Sequence, residues 1–195
     1  MRIIAGTLRG RRLKAPAWEG LRPTSDRLRE TLFDIVAVRV PSARVLDGYA
    51  GTGAVGIEAL SRGAARVVFV ERDARAARLI GENLARCGVE NGYAIIRADL
   101  ARVVAPGGTA PFDLIVLDPP YADPGIAAIV ARAGRWLAAG GLLVLEHARR
   151  RPAPPAAGPL TRVRTVESGD SALSFYEPTA APHPAGGETT PSTTT

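Results

Sequence analysis

Cysteine is almost absent from this 195-residue chain: Cys87 is the one thiol, which excludes an internal disulfide and any cysteine-cluster metal site. Histidine is nearly as scarce, with only His147 and His183, so no metal site built from protein ligands is expected. No apolar run approaches the ~18 residues of a membrane span. The opening MRIIAGTLRGRR lacks the sustained apolar region of a secretory signal. These absences lead to the expectation of a cytoplasmic protein that makes no membrane contact. No Pro-Cys dipeptide occurs, which argues against attack on a pyrimidine ring carbon through a cysteine adduct.

What is present suits one globular unit. Hydrophobic residues make up 46% of the chain, ordinary for a domain of this length with a buried core. The net charge is +6 and unevenly placed. Residues 1–30 carry Arg2, Arg9, Arg11, Arg12, Lys14, Arg22, Arg27 and Arg29 against Glu19, Asp26 and Glu30, so nearly all the excess sits there. A basic arm on a near-neutral body is the footprint of phosphate contacts, although a solvated basic surface looks the same on charge alone.

Residues 2–15 read as a small hairpin or extended arm, and Pro23-Thr24-Ser25-Asp26 as a helix start, with the helix running to about Val38. From Ala43 strands and helices alternate. Strands are expected at Arg44–Asp47, Arg66–Glu71, Ala94–Asp99, Leu114–Asp118 and Leu142–His147; helices at Ala54–Ser61, Ala74–Arg86 and Pro124–Ala138. This rhythm implies a parallel sheet with helices on both faces. Leu160–Glu167 and Ala172–Glu177, joined by Ser168-Gly169-Asp170-Ser171, read as a closing antiparallel hairpin. Residues 149–159 are rich in Arg, Pro and Ala and read as loop. The expected organisation is an arm and helix over 1–40, a core over 41–177 and a disordered tail over 178–195.

Two stretches carry chemistry. Gly51, Gly53 and Gly56 follow the first strand, open a helix and satisfy the G-x-G-x-x-G spacing, with Glu71 twenty residues after Gly51. Any adenosine-bearing cofactor can use bare glycine backbone and a strand-end acid, so a nicotinamide-dependent oxidoreductase must be considered. Asp47, four residues before Gly51, would repel a pyrophosphate but welcome a cation such as the sulfonium and ammonium of S-adenosyl-L-methionine. Asp99 ends the third strand, where it could accept from an adenine amine. The second stretch is Asp118-Pro119-Pro120-Tyr121, which displays a carboxylate, a bare carbonyl and an aromatic ring where the fourth strand stops. Asp47, Glu71, Asp99 and Asp118 thus end four successive strands on one sheet edge.

With these residues the chain resembles class I S-adenosylmethionine-dependent methyltransferases, and more closely the bacterial 16S ribosomal RNA guanine-N2 methyltransferases of the RsmD family. The resemblance spans residues 1–177 and rests on Arg2-Ile3-Ile4-Ala5-Gly6, Leu21 to Phe33 with its Arg22-Pro23-Thr24-Ser25-Asp26-Arg27 core, Gly56-Ile57-Glu58-Ala59-Leu60-Ser61-Arg62-Gly63, and the Asp118 motif. It implies a doubly wound, mostly parallel seven-stranded Rossmann-like α/β sheet ending in an antiparallel hairpin. It implies S-adenosyl-L-methionine as cofactor, bound by Asp47, Tyr49, Ala50, Gly51, Gly53, Glu71, Arg72, Asp99, Leu100 and Asp118. Catalysis would fall to Asp118, Pro119, Pro120 and Tyr121, with no metal. RNA phosphates would meet Arg9, Arg11, Arg12, Arg22, Thr24, Arg27 and Arg29, and the partner would be 16S RNA or an assembling small ribosomal subunit, met by a monomer. Adenine N6 in DNA or RNA remains an alternative target, since Asp-Pro-Pro-Tyr suits it equally.

Overall fold

Val45-Leu46, Val67 to Val70, Leu114 to Leu117 and Leu142 to Leu145 are apolar at every position, and each of these side chains is buried. Strands hidden on both faces belong to a parallel sheet covered by helices on each side. That is the architecture of the computed structural model, which describes residues 1–16, 18, 26–104, 106, 108, 110–120 and 125–179. The strands are β1 (Arg44–Gly48), β2 (Arg66–Glu71), β3 (Tyr93–Arg97), β4 (Phe112–Leu117), β5 (Leu137–Ala148), β6 (Ala156–Ala157), β7 (Leu160–Ser168) and β8 (Ser171–Pro178). They form one eight-stranded sheet in the order β3-β2-β1-β4-β5-β8-β7-β6. Pairing is parallel from β3 through β5 and antiparallel from β5 through β6. Chain order reverses between β1 and β4, where open α/β sheets hold ligands beyond their strand ends.

Helices α1 (Asp26–Ile35), α2 (Ala54–Ser61) and α3 (Ala74–Arg86) cover one face and α4 (Ile126–Gly134) the other. The expected hairpin in the arm forms through an antiparallel bridge between Arg2 and Arg12, with the Ile3 amide donating to the Arg11 carbonyl at 3.0 Å. Ile3 and Leu13 enter the same core cluster as Leu28, Leu32, Val45 and Phe69, so arm and sheet share one apolar interior.

Several boundaries differ from expectation. Eight strands replace seven because Ala156–Ala157, inside the expected loop, pairs with β7. The α4 helix stops at Gly134 rather than Ala138, and β5 begins at Leu137 rather than Leu142. The β4–β5 register shifts between Phe112 and Leu114, so that Phe112 pairs with Leu137 while Leu114 pairs with Leu142. The α1 helix gives way to a 3-10 turn at Ala37–Arg39, while its expected start at Pro23 to Ser25 lies outside the described residues. The tail expected to be disordered lies outside them from residue 180 onward. Among the described residues, no helix is long and apolar enough to cross a membrane.

Candidate active site

The β1 strand ends in Asp47-Gly48, and the backbone must then turn sharply to enter α2. Tyr49 takes φ +66°, an uncommon angle for a residue with a Cβ, and Gly51 and Gly53 take +54° and +77°. Two carboxylates fasten this turn. Asp47 accepts from the Gly56 amide at 2.9 Å across the loop. Glu71, at the end of β2, accepts from the Gly51 amide at 2.9 Å and the Asp73 amide at 2.8 Å. Each carboxylate oxygen keeps further acceptor capacity after one such bond.

Asp47 is 4% exposed. Burial pushes its carboxyl up to about 7, the Gly56 amide pulls it down, and Glu71 raises it further. A buried carboxylate poised near neutrality offers a strong welcome to a cation and a poor one to a phosphate. At the rim Asp73 is held down to about 2, chiefly by its hydrogen bond from Arg75, whose guanidinium also lies over the Trp18 ring at 5.0 Å.

These groups border a cleft of about 790 Å³ at the point where the sheet order reverses. Of the expected cofactor residues, Asp47, Tyr49, Ala50, Gly51, Glu71, Arg72 and Asp118 line it. Pro119 and Pro120 line it as well. Asp118 stands one residue past β4, its amide reaching the Gly48 carbonyl at 3.4 Å. Tyr121 lies outside the described residues.

Three expected cofactor residues have structural contacts of their own. Gly53 caps the start of α2 in a left-handed conformation. Asp99 caps a 3-10 turn, its carboxylate accepting from the Ala101 amide at 3.0 Å. Leu100 is buried and packs close to Gly48. None of the three is among the cleft-lining residues.

Of the expected RNA contacts, Arg9 and Arg12 are exposed, and Arg27 is exposed at the cleft. Arg11 is exposed too, although its Nη1 donates to the Cys87 carbonyl at 2.6 Å. Arg22 and Thr24 lie outside the described residues. Arg29 corrects the expectation: its side chain is 0% exposed, so it cannot meet a phosphate. It shares the inward side of α1 with Leu32 and Phe33, donates to the Arg2 carbonyl and to Asp26, and lies 3.9 Å from Glu58. Burial pulls its guanidinium below the usual value, against the raising effect of Asp26 and Glu58.

His147 is built into the fold. Its Nδ1 faces the Ala148 and Arg151 carbonyls at 3.1 and 3.0 Å, which require a proton there, and its Nε2 faces the Ser174 hydroxyl at 2.9 Å. The strand residue before it, Glu146, lines the cleft at 6% exposure, as does the β7–β8 turn from Ser168 to Ser171. Among the described residues, no group of three His, Cys, Asp or Glu side chains is placed to hold a metal ion.

Residues 1–177 match the family described as conserved hypothetical protein 95. The chain is 37% identical to the ribosomal RNA small subunit methyltransferase D of Haemophilus influenzae over 78% of this chain and 81% of that protein. It is 34% identical to the protein of that name in Escherichia coli, over 91% and 89%. The chain belongs to the RsmD family. A solved structure of a hypothetical protein of Thermus thermophilus superposes with a TM-score of 0.74 at 35% identity, covering 90% of this chain and 98% of that one. An RNA methyltransferase of Salinibacter ruber in complex with S-adenosyl-L-homocysteine, at 18% identity and a TM-score of 0.64, shares the fold over 83% of this chain and 97% of that one.

The Gly56-to-Gly63 motif of this RsmD-family chain has a physical task in the structure. Glu58, 0% exposed, accepts from the Ile4 amide at 2.7 Å, the Ala5 amide at 3.0 Å and Arg62 Nε at 2.8 Å. Ser61 accepts from the Leu8 amide at 2.9 Å and donates to the Ala5 carbonyl. A Cβ on Gly6 would overlap the Ser61 carbonyl. The motif is the dock for the basic arm, on the same helix that the glycine loop opens.

Proposed function

We propose that this chain is an S-adenosyl-L-methionine-dependent ribosomal RNA methyltransferase that acts on the exocyclic N2 amine of a guanine in small-subunit RNA. The observation that carries the reading is that two carboxylates from neighbouring strand ends line one cleft. Asp47 is buried beneath the glycine loop and Asp118 stands just past the neighbouring strand. The first suits a cationic cofactor and the second an amine to be methylated. Family membership adds weight, since its named members include small-subunit ribosomal RNA methyltransferases.

The residues present fit the cofactor. Asp47 and the loop from Tyr49 to Gly51 would hold its amino-acid end, and Glu71 its ribose hydroxyls, with Arg72 alongside. A nicotinamide dinucleotide fits less well, because Asp47 would oppose its pyrophosphate and the Gly51 amide already serves Glu71. When bound, the cofactor supplies an electrophilic methyl on a sulfonium.

The chain's own groups prepare the nucleophile. An exocyclic purine amine is poor at attack because its lone pair is delocalised into the ring. Asp118 accepts one of its hydrogens and the Pro119 carbonyl the other, which localises the lone pair for in-line attack, while positioning supplies much of the rate. The nitrogen's surplus proton passes to Asp118 or to solvent. Pro120 keeps the segment extended, and Tyr121 is assigned the stacking of a base drawn out of its RNA context.

The arm and helix over 1–40 form the RNA-binding extension in this reading. Arg9, Arg11, Arg12, Arg22 and Arg27 would face phosphates, with Thr24 alongside. The partner is free RNA or an assembling small subunit in the cytoplasm, engaged by a monomer. The test is methyl transfer from radiolabelled cofactor to small-subunit RNA taken from cells lacking the protein, with the product nucleoside identified by mass spectrometry. N2-methylguanosine supports the reading; N6-methyladenosine, or cofactor binding replaced by NAD binding, sinks it.

A further inference from the structure

We propose that Glu146 selects guanine over adenine by accepting the base's N1–H while Asp118 engages its N2 amine. This rests on the guanine-N2 reading above and names the residue that would give it its selectivity.

In the β4–β5 pair Val116 stands beside Val144 and Leu117 beside Leu145. One step further places Asp118 beside Glu146. Alternation puts both carboxylates on the face that carries Asp47, Val116 and Val144. Neighbouring strands lie about 4.8 Å apart, so the two carboxylates rise side by side from adjacent strand ends. Both line the same cleft, which Leu28 and Leu32 of α1 line as well. That combination suits a flat base presenting one polar edge to the sheet.

Guanine presents two adjacent donors on that edge, N1–H and the N2 amine. With N2 held by Asp118, N1–H falls toward the neighbouring strand, where Glu146 can accept it. Adenine presents a lone pair at N1 beside its N6 amine. That lone pair would face the Glu146 carboxylate with no hydrogen between them. Glu146 is 6% exposed, so little water is at hand to relieve the mismatch. Sites built to bond a polar edge reject partners lacking it far more strongly than apolar pockets do. The Asp-Pro-Pro-Tyr stretch is indifferent between the two purines; the next strand supplies the choice.

The experiment compares wild type, Glu146→Gln and Glu146→Leu on small-subunit RNA from cells lacking the protein. Cofactor affinity by calorimetry serves as the check on folding. A second substrate carries 2-aminopurine in place of the guanine that wild type methylates; it keeps the 2-amine but has a lone pair at N1. We expect Glu146→Leu to bind cofactor normally and to lose about 100-fold in kcat/KM on guanine, as an unpaired N1–H would cost. Wild type should prefer guanine to 2-aminopurine by a similar factor. Glu146→Gln, whose amide can donate to N1, should narrow that preference below about tenfold. Both variants methylating guanine within threefold of wild type, with preference unchanged, would overturn the role of Glu146 and leave the guanine-N2 reading intact. Formation of N6-methyladenosine by wild type would overturn both.

Discussion

Replacing Glu58 with alanine isolates what holds the basic arm to the catalytic body. The side chain is fully buried on α2 and is the meeting point of three segments: the Ile4 and Ala5 amides, Arg62, and Arg29 at 3.9 Å. Truncation leaves two arm amides without their carboxylate. It also leaves the buried Arg29 with Asp26 as its ion-pair partner, and that side chain is 53% exposed. Breaking a buried pair from one side costs about 3–5 kcal/mol, because the surviving charge stays desolvated. Against a typical total of roughly 5–15 kcal/mol this is a large fraction. At about 2–4 °C per kcal/mol for a chain of this size, the melting midpoint should fall by roughly 6–20 °C. Urea titration would read the loss, and hydrogen exchange at Ile4 and Ala5 would show whether the arm has come free. Replacing Arg29 and Glu58 together by methionine should cost less than the two single changes summed, since no lone charge is then buried. A Glu58→Ala protein within about 1 kcal/mol of wild type and with undiminished protection at Ile4 and Ala5 would refute this reasoning.

Three further outcomes follow from the geometry. Because the Asp47 carboxyl sits at about 7, binding of the cationic cofactor should weaken about tenfold for each pH unit below that value. The stability effect runs oppositely: the raised value favours folding at low pH and is lost as pH rises through about 7, so Asp47→Asn should be the more stable apoprotein at pH 8 by thermal melting, yet bind cofactor poorly. Gly56→Ala would drive its Cβ into the Phe69 ring and Val67, and urea titration should show a loss of about 1–3 kcal/mol. Arg9→Glu with Arg12→Glu should weaken RNA binding and flatten its salt dependence, measured by filter binding, while cofactor affinity stays unchanged.

The features of the chain differ in how far the sequence alone shows them. The α2 and α3 helices form at Ala54–Ser61 and Ala74–Arg86, where apolar spacing and the closing glycines place them. The glycine loop and its acids were legible because strand, turn and helix each carried their own signal. The capping bond from the Ala101 amide to Asp99 was not legible, since a carboxylate after a strand carries no mark of the turn it caps. For Arg29 helix face outweighs charge: it stands four residues before the buried Phe33, on the inward side of α1. Glu58 and Ser61 are polar residues on a helix buried almost all round, which points to partners elsewhere in the chain. Naming the arm as that partner took the fold, for it lies more than fifty residues away in sequence.

In the proposed reaction Asp118 accepts a hydrogen bond from the guanine N2 amine. Small-subunit RNA from cells lacking the protein, incubated with cofactor and either wild type or Asp118→Ala, followed by nucleoside mass spectrometry, tests it most directly. The account predicts N2-methylguanosine with wild type and a rate about 10²–10³-fold lower with Asp118→Ala, at unchanged RNA affinity. N2-methylguanosine formed by Asp118→Ala at close to the wild-type rate would contradict it.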